Sequence, residues 1–266
     1  MKPSGDYSDD LALALAIADA VDALTMRNSD PADLTVELKP DDTPVTAVDR
    51  AAEQLVRDML RAERPDDSIL GEEYGTQGVA SRRWIIDPID GTKNFIRGVP
   101  VWATLIALFD GDRPAVGVVS APALQRRWFA AMGAGAWEGL DASSARRISV
   151  SGVTELAKAS LSYSSLTGWH NLGRAEQFFD LTAGIWRTRA FGDFWSYMLV
   201  AEGAVDIAAE PELEIYDMAA LVPIVLEAGG RFTSLDGVEG PFGGNALATN
   251  GKIHAECLAA LAPRLP

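Results

Sequence analysis

The chain reads, from residue 84 to residue 92, Trp84-Ile85-Ile86-Asp87-Pro88-Ile89-Asp90-Gly91-Thr92. The apolar residues before Asp87 predict a buried strand, and Pro88 has no backbone N–H for a sheet ladder, so we expect the strand to end at Asp87. Side chains three residues apart point to opposite faces of a straight strand. A turn through Pro88 and Ile89 would bring Asp87 and Asp90 to one side and leave the Ile89 carbonyl free as a third oxygen ligand.

The two residues after this turn suit an anion. Gly91 lets the backbone come close to a phosphate. Thr92 supplies a hydroxyl and an amide at the start of a short predicted helix, Lys93 to Arg97, and amides at a helix start favour anions. The alternative is an ordinary type I′ turn centred on Asp-Gly, because the chain has two other Asp-Gly pairs, at 110–111 and 236–237, which we interpret as plain turns.

Other acidic residues are candidates for the same site, but each has an ordinary explanation. Glu72-Glu73 follows a short predicted strand, and paired acids on a loop are usually just solvated. Asp217 precedes a predicted helix, Met218 to Ala228, where Asp is a good N-cap. Asp49 stands three residues after Thr46, the spacing of a capping box. Taken one at a time, none of these residues indicates a site.

Composition restricts the class of protein. The chain has 266 residues, of which 48% are hydrophobic and 23% charged, which predicts one large domain or two closely packed lobes. It has 23 basic and 38 acidic residues, a net charge of −15, which argues against a nucleic-acid partner. This charge also repels phosphorylated substrates at long range, so a phosphate site would need bound cations.

The cysteine content and the hydrophobic pattern bear on location. Cys257 is the only cysteine, so no internal disulfide is possible and we expect a reduced, cytoplasmic setting. The run from Leu11 to Leu24 is rich in Leu and Ala, but Asp19 and Asp22 interrupt it, which predicts an amphipathic helix rather than a signal peptide. No stretch has the length and hydrophobicity of a membrane span, so we expect no membrane partner.

Several kinds of chemistry lack the residues they need. The chain has two histidines, His170 and His254, which do not supply a His-rich zinc site or an obvious Ser-His-Asp triad. It has no phosphate-binding P-loop and no dinucleotide fingerprint. The remaining candidates are carboxylates and hydroxyls, whose hard oxygen atoms suit magnesium.

The candidate motifs form an ordered set: Asp41-x-x-Pro44-Val45-Thr46-x-x-Asp49, Gly71-Glu72-Glu73, Trp84 to Phe95, Asp217 with Ala219-Ala220, and Glu227-Ala228-Gly229-Gly230. Together they resemble the inositol monophosphatase family over nearly the whole chain. Two motifs about half the chain apart and in the right order make the resemblance specific. Tyr216 is a departure, because the family usually has Trp before this aspartate, but the ligand itself is retained.

The resemblance implies a mixed α/β (α+β) fold, a layered α-β-α-β-α sandwich with two sheets and with helices between and outside them. Strands predominate in the first half of the sequence, and strands alternate with helices in the second half. We expect one unit, residues 1–266, with an N-terminal lobe of about 1–146 and a C-terminal lobe of about 147–266. The polar segment from Asn28 to Pro44 is predicted as loop.

The resemblance also implies a metal site. Glu72, Asp87 and the Ile89 carbonyl would hold one magnesium ion. Asp87, Asp90 and Asp217 would hold a second, with Asp87 bridging the two ions. Glu72 would also help to hold a third, weaker ion, so the resemblance predicts two to three Mg²⁺ per site.

The same resemblance assigns catalytic roles for direct transfer of the phosphoryl group to water. Thr92, oriented by Asp49, would position the attacking water, and Glu72 would share that role. The amides of Gly91 and Thr92 would bind the phosphate oxygens.

Within the family, the sequence is most similar to the branch that hydrolyses L-histidinol phosphate, over the segments Asp90 to Trp102, Ser120 to Trp128 and Arg189-x-x-Gly192-Asp193. The resemblance predicts substrate contacts by Asn94, Trp102, Arg189, Asp193 and Glu210. Asp193 stands where inositol phosphatases tend to have a small neutral residue, and a carboxylate there would pair with the substrate's ammonium. The alternatives are an N-cap role for Asp193 and core packing for Trp102.

Other functions stay open from the sequence. The runner-up is an inositol-1-phosphate phosphatase or a broad-specificity sugar or polyol phosphatase. A more distant alternative is a catalytically silent relative that binds or regulates, although all the metal ligands are present. The family is commonly dimeric, so the resemblance predicts a homodimer that acts on a small phosphate monoester.

Overall fold

The protein's structure, a computed structural model, describes residues 6–39, 43–141 and 143–263. Asp41, part of the first motif, lies outside this set. The helices are α1 (Ser8–Arg27), α2 (Ala47–Glu63), α3 (Thr92–Phe95), α4 (Thr167–Asn171), α5 (Ala175–Gly184), α6 (Asp193–Ala201), α7 (Ile215–Met218), α8 (Leu221–Glu227) and α9 (His254–Leu261). Within the described ranges, no helix combines the length and hydrophobicity needed to cross a membrane.

The strands form two sheets and a small hairpin. They are β1 (Val36–Leu38), β2 (Pro44–Thr46), β3 (Ser68–Gly71), β4 (Gly75–Gln77), β5 (Arg82–Asp90), β6 (Ala103–Asp110), β7 (Arg113–Ala121), β8 (Arg126–Ala131), β9 (Gly135–Glu138), β10 (Arg146–Arg147), β11 (Ser160–Ser162), β12 (Arg187–Arg189), β13 (Ile207–Glu210), β14 (Arg231–Thr233) and β15 (Ala246–Thr249). The first sheet has the order β10-β9-β8-β7-β6-β5-β3-β4, the second has the order β12-β11-β13-β15-β14, and β1 pairs with β2.

The helices cover both sheets in layers. α1 and α2 pack on one face of the first sheet. α6 and α8 share one core with the other face of that sheet and with the second sheet. α4, α5 and α9 cover the outer face of the second sheet. The predicted α-β-α-β-α sandwich is therefore confirmed.

Strand β6 shows why the first sheet can be covered on both faces. Leu105, Ala107 and Phe109 belong to the core between the sheets, whereas Ile106 and Leu108 belong to the core under α1 and α2. Successive side chains of a strand point to opposite faces, so an unbroken apolar run buries both. A sheet of this kind lies in the middle of the molecule.

Two local predictions were incomplete. The segment predicted as loop from Asn28 to Pro44 contains β1 and the start of β2, which form a short antiparallel hairpin. The predicted helix from Met218 to Ala228 starts earlier and is split into α7 and α8. Pro223 lies in the first turn of α8, where its missing N–H has no helical partner to lose.

Candidate active site

The end of β5 carries the first two carboxylates. Opposite Asp87 and Asp90 on β6 lie Leu105 and Ala103, so three steps along β5 match two steps along β6. This irregularity, rather than the predicted end of the strand at Asp87, turns both aspartates to one side. The Ile89 amide donates a hydrogen bond to Asp87 Oδ1 at 3.0 Å, which holds the bulged backbone.

A third carboxylate arrives from the other half of the chain. Asp87, Asp90 and Asp217 each offer an oxygen, and these three oxygens lie within 4.8 Å of one another. α7 presents Asp217, whose Oδ2 accepts a hydrogen bond from the Glu214 amide at 2.8 Å. Asp217 is therefore not the N-cap expected from sequence but the third residue of α7, where it closes a capping box with the N-cap Glu214 and also joins the cluster.

The cluster is electrostatically unfavourable without a cation. Burial raises the pKa of Asp87 well above its usual value, and the charges of Glu72, Asp90 and Asp217 raise it further. The pKa of Asp90 is likewise raised well above its usual value, chiefly by burial. Burial also raises the pKa of Asp217 to about 7. Buried carboxylates whose oxygens converge are the donor set that hard divalent cations prefer, so the residues fit magnesium.

Glu72 lies beside this cluster at the end of β3. Its amide donates to the Ile86 carbonyl at 3.2 Å, next to Asp87 on the parallel strand β5. Lys39 Nζ lies 2.7 Å from Glu72 Oε1 and 2.6 Å from Glu73 Oε1. Burial opposes the charge of Lys39, but the bonds to Glu72 and Glu73 raise its pKa overall. Sequence reasoning missed Lys39, since a lysine in a polar loop carries no signal.

The predicted water-positioning pair is also assembled. Thr92 Oγ1 lies 3.4 Å from Asp49 Oδ1 and 2.9 Å from the Ile89 carbonyl oxygen. One hydroxyl hydrogen serves one of these acceptors at a time. Asp49 is fully buried and also closes the capping box of α2, where its Oδ2 accepts from the Thr46 amide at 2.9 Å. Both explanations of Asp49 are therefore compatible.

Gly91 is required by geometry at the bend between β5 and α3. Its φ of 84° lies in the left-handed region, and a Cβ there would lie 2.9 Å from the Val101 carbonyl oxygen. Gly91 and Thr92 line a small cavity together with the three clustered aspartates. The plain-turn alternative for this Asp-Gly pair is thus insufficient, because the turn faces the cluster.

Two cavities meet at the cluster. The smaller, of about 190 Å³, contains Asp87, Asp90 and Thr92. The larger cavity, of about 630 Å³, is lined by Glu210 at the end of β13, by the loop that follows β13 and by part of α4. Glu72, Lys93 and Asp217 line both. A small phosphate ester can therefore place its phosphate at the cluster and its organic part in the larger cavity.

Asp193 and Glu210 are the two acidic candidates for substrate contact; Asp193 lines the smaller cavity and Glu210 lines the larger one. Asp193 begins α6 with a φ of 46°, and its Oδ2 accepts from Asn94 Nδ2 at 2.8 Å. Burial raises the pKa of Glu210 to about 8. The Ser164 hydroxyl donates to Glu210 Oε2, and a hydrogen bond from the Tyr197 hydroxyl also favours the charged carboxylate. A carboxylate that lines a cavity suits a cationic or hydroxyl-bearing ligand.

The structure places two predicted substrate residues elsewhere. Trp102 is 3% exposed and packs edge-on against Phe95, with ring centroids 4.9 Å apart. Arg189 is exposed on the edge strand β12, and its Nη1 donates to the Thr188 carbonyl at 2.7 Å. Neither side chain lines the two cavities. Asn94 contacts Asp193 rather than the cavity, so it positions a candidate ligand group.

Comparison with known proteins agrees with this geometry. The model of the inositol monophosphatase family matches residues 6–265. The chain belongs to the inositol monophosphatase family. Family membership, predicted from the ordered carboxylate motifs, is thereby confirmed.

Individual family members match over nearly their full length. The chain is 58% identical over 263 residues to a histidinol-phosphatase of Streptomyces coelicolor, covering 97% of this chain and 99% of that protein. It is 59% identical over 254 residues to a histidinol-phosphatase of Mycobacterium tuberculosis, covering 95% and 98%. The structure of an inositol monophosphatase from Zymomonas mobilis superposes with a TM-score of 0.85 at 33% identity, covering 97% and 99%.

Proposed function

We propose that the protein is a magnesium-dependent phosphatase that hydrolyses L-histidinol phosphate to L-histidinol and phosphate. The convergence of Asp87, Asp90 and Asp217 beside a cavity of about 630 Å³ supports phosphomonoester hydrolysis. The two relatives named histidinol-phosphatase, at 58% and 59% identity, support the choice of substrate.

Five residues would hold two ions. Glu72, Asp87 and the Ile89 carbonyl would bind one, and Asp87, Asp90 and Asp217 the other. When bound, magnesium neutralises the phosphate charge and activates a water molecule for in-line attack. A third, more weakly bound ion would lie beside Glu72, so we propose two to three magnesium ions per site. The Lys39 ammonium, at 2.7 Å from Glu72, occupies part of this region in the structure described here.

The remaining groups of the chain orient the reactants. The Thr92 hydroxyl would form a hydrogen bond with the attacking water. Asp49 orients this hydroxyl, since its Oδ1 lies 3.4 Å from Thr92 Oγ1. The amides of Gly91 and Thr92 bind phosphate oxygens. Glu72 shares the orientation of the water. These groups convert an encounter in solution into a fixed alignment, which lowers the entropic part of the barrier.

The organic part of the substrate carries an ammonium and an imidazole, and the carboxylates of the half-buried Asp193 and the buried Glu210 would pair with them. Asp193 is held in place by Asn94 at 2.8 Å, and Glu210 lines the larger cavity. A cation beside Glu210 favours its ionised form and lowers a pKa that burial has raised to about 8. An inositol ring is neutral, so it forms no ion pair that would offset the cost of burying a carboxylate.

A substrate comparison tests this proposal. We expect kcat/KM in magnesium to be at least about 100-fold higher for L-histidinol phosphate than for inositol 1-phosphate, since a buried charged pair contributes roughly 3 kcal/mol. Asp193→Asn should reduce that preference. Glu256→Gln, which removes an exposed charge on α9, is the matched control and should leave it unchanged.

Two other outcomes of the substrate comparison would assign a different function to the protein. Equal or better turnover of the inositol ester would make the protein an inositol or broad-specificity phosphatase. No magnesium-dependent phosphate release from any monoester would indicate a silent binding relative. A homodimer and a cytoplasmic location, expected from the family resemblance and from the single cysteine, complete the proposal. Sedimentation of the purified protein tests the dimer.

A further inference from the structure

One face of α2 carries a buried ion pair behind the active site. Asp49, Glu53 and Arg57 follow one another at a spacing of four residues, so they lie on one side of the helix. Glu53 is 0% exposed and Arg57 is 3% exposed, and Arg57 Nε donates to Glu53 Oε1 at 2.7 Å. Asp49 already contacts Thr92, whereas neither member of the pair lines the two cavities.

The Glu53 carboxylate holds the backbone that follows Glu72. Oε2 accepts from the Glu73 amide at 2.6 Å, and Oε1 accepts from the Tyr74 amide at 3.2 Å. Hydrogen bonds to an ionised acceptor are the stronger kind. Both donors lie within two residues of Glu72, so the carboxylate fixes the direction in which the chain leaves that residue.

Arg57 holds the far end of the same turn. Its Nη2 donates to the Gly75 carbonyl at 2.5 Å, and its Nη1 donates to Gln77 Oε1 at 3.3 Å. The pair therefore contacts the segment from Glu73 to Gln77 at four points. This segment contains the turn after β3 and strand β4, at the edge of the first sheet.

Gly71 shows how closely the carboxylate approaches. A Cβ at this position would lie 2.0 Å from Glu53 Oε1 and 2.3 Å from Glu53 Cδ. Both distances are too short for atoms that are not bonded to each other. The backbone of Gly71 is ordinary strand, so the requirement for glycine comes from this approach and not from its φ. Glycine at 71 and glutamate at 53 are thus complementary.

We propose that Glu53 is a positioning residue that acts through the turn after β3 to hold Glu72 against Asp87. This inference rests on the proposed function, in which Glu72 is a magnesium ligand. Loss of the carboxylate would let Glu72 move away from Asp87 and would weaken the binding of the ion they share. Catalysis at saturating magnesium would suffer less, because Asp87, Asp90 and Asp217 do not depend on this turn.

Magnesium titration of the melting temperature tests the proposal, with kcat as a second readout. Glu53→Gln replaces one acceptor oxygen by an NH2 group that faces donors. We expect the magnesium concentration at half of the maximal Tm increase to rise at least tenfold, and kcat at saturating magnesium to fall by less than tenfold. The matched control is Val56→Ala, which truncates a fully buried residue of α2 in the core with α1. It should lower Tm but leave the magnesium midpoint within twofold.

Two results would overturn the proposal in different ways. Equal magnesium midpoints in Glu53→Gln and Val56→Ala would reduce Glu53 to a stability role, with the proposed function intact. No magnesium-dependent Tm increase in the unsubstituted protein would overturn the metal site itself, and with it this role for Glu53.

A second pair of variants keeps the test decisive if Glu53→Gln folds poorly. Gly71→Ala should raise the magnesium midpoint, because the new Cβ overlaps the Glu53 carboxylate. Glu53→Asp shortens the side chain and withdraws that carboxylate, so the double variant should bind magnesium at least threefold more tightly than Gly71→Ala alone. Independent effects of the two substitutions would contradict direct coupling between Glu53 and the turn.

Discussion

Single carboxylates in this protein carry two roles at once. Asp217 accepts the Glu214 amide at 2.8 Å and also joins the cluster with Asp87 and Asp90. Asp49 closes the capping box of α2 and lies 3.4 Å from Thr92. Each carboxylate has two oxygens, so one can satisfy the backbone while the other faces the site. A local structural explanation of an acidic residue therefore does not compete with a functional one.

Asp90→Asn should remove activity without unfolding the protein. Asp90 Oδ2 accepts from the Phe194 amide at 2.9 Å, and the asparagine oxygen can keep that bond. The lost charge is worth several kcal/mol of transition-state stabilisation, so we expect kcat to fall roughly 1,000-fold or more. Steady-state kinetics and circular dichroism measure the two effects. Asp110→Asn, in an exposed Asp-Gly turn, is the control; near-normal activity of Asp90→Asn would contradict the metal site.

The acidic cluster should make stability without metal depend on pH. Burial raises the pKa of folded Asp217 from 3.8 to about 7, so the folded state holds a proton that the unfolded chain has released. Stability should therefore fall as pH rises from about 4 to about 7. In EDTA, Asp217→Asn should raise the Tm at pH 7.5 by about 5 °C, and magnesium should raise the Tm of the unsubstituted protein.

His254 gives the opposite slope and must be separated from the cluster. Its ring lies between Thr233 and Thr249 at 3.0 Å from each hydroxyl, and burial lowers its pKa to about 4. The unfolded chain takes up the proton first, so this contribution is lost as pH falls below about 6.5. We expect the contribution of His254 to stability to be the same with and without magnesium. The difference between the two Tm profiles therefore isolates the cluster, and parallel profiles would contradict its raised pKa values.

At the scale of elements, α8 approaches strand β7 closely enough to require glycine. A Cβ at Gly117 would lie 2.3 Å from the Ala220 carbonyl oxygen and 2.5 Å from Pro223 Cγ. The contact sets the distance between the first sheet and the helical layer that also carries α7 and Asp217. Backbone and a proline ring cannot rotate away, unlike the end of a flexible side chain.

Gly117→Ala should accordingly destabilise the protein by about 2 kcal/mol, the usual cost of overpacking a core. Urea unfolding measures the change. Gly152→Ala, where a Cβ meets nothing within 4 Å, is the matched control and should change stability by less than about 0.5 kcal/mol. Equal stability of the two variants would mean that α8 can shift without cost.

At the scale of the whole molecule, the two sheets share one layer of helices. Phe194 and Met198 of α6 and Val225 of α8 belong to the same buried cluster as Leu105 of the first sheet and Ala248 of the second. Neither sheet can lose this layer without exposing the other. The N-terminal and C-terminal lobes predicted from sequence are thus joined by a common core.

We therefore predict a single cooperative unfolding transition. Hydrogen exchange should give the slowest amides of β6 and of β13 the same opening free energy, within about 1 kcal/mol. Val225→Ala should lower both values equally. If its effect were confined to one sheet, or if the two sheets exchanged with separate free energies, the lobes would be independent folding units.

Much of the fold followed from local signals. The run from Leu11 to Leu24 lies within α1, as its amphipathic pattern predicted, and the apolar strand predicted before Asp87 is part of β5, although β5 continues to Asp90. Hydrophobic periodicity and turn residues act over a few positions, so they can be interpreted without knowing what packs on them. Strand β1 of the hairpin was missed because its three residues are exposed and give no such pattern.

Side-chain roles on the substrate side could not be assigned in this way. Trp102 and Asp193 both belong to motifs of the same family branch, yet Trp102 is buried against Phe95 and Asp193 reaches the cavity. Lys39 reaches Glu72 across 33 positions of the chain. Contacts of this kind depend on how distant segments meet, and nothing in the local sequence reports them.

The sequence by itself determined the chemistry available to this protein: an acidic chain with no zinc ligands or triad, an Asp-Pro-Ile-Asp-Gly-Thr bend, and the ordered motifs of a phosphatase family. Only the tertiary structure showed that the bend faces a cluster of carboxylates and is not an isolated turn. Asp87 and Asp90 become a cluster when α7 delivers Asp217 from 127 positions beyond Asp90, to within 4.8 Å. The physical reason is that burial and mutual repulsion, which create the demand for a cation, exist only after distant carboxylates have been brought together.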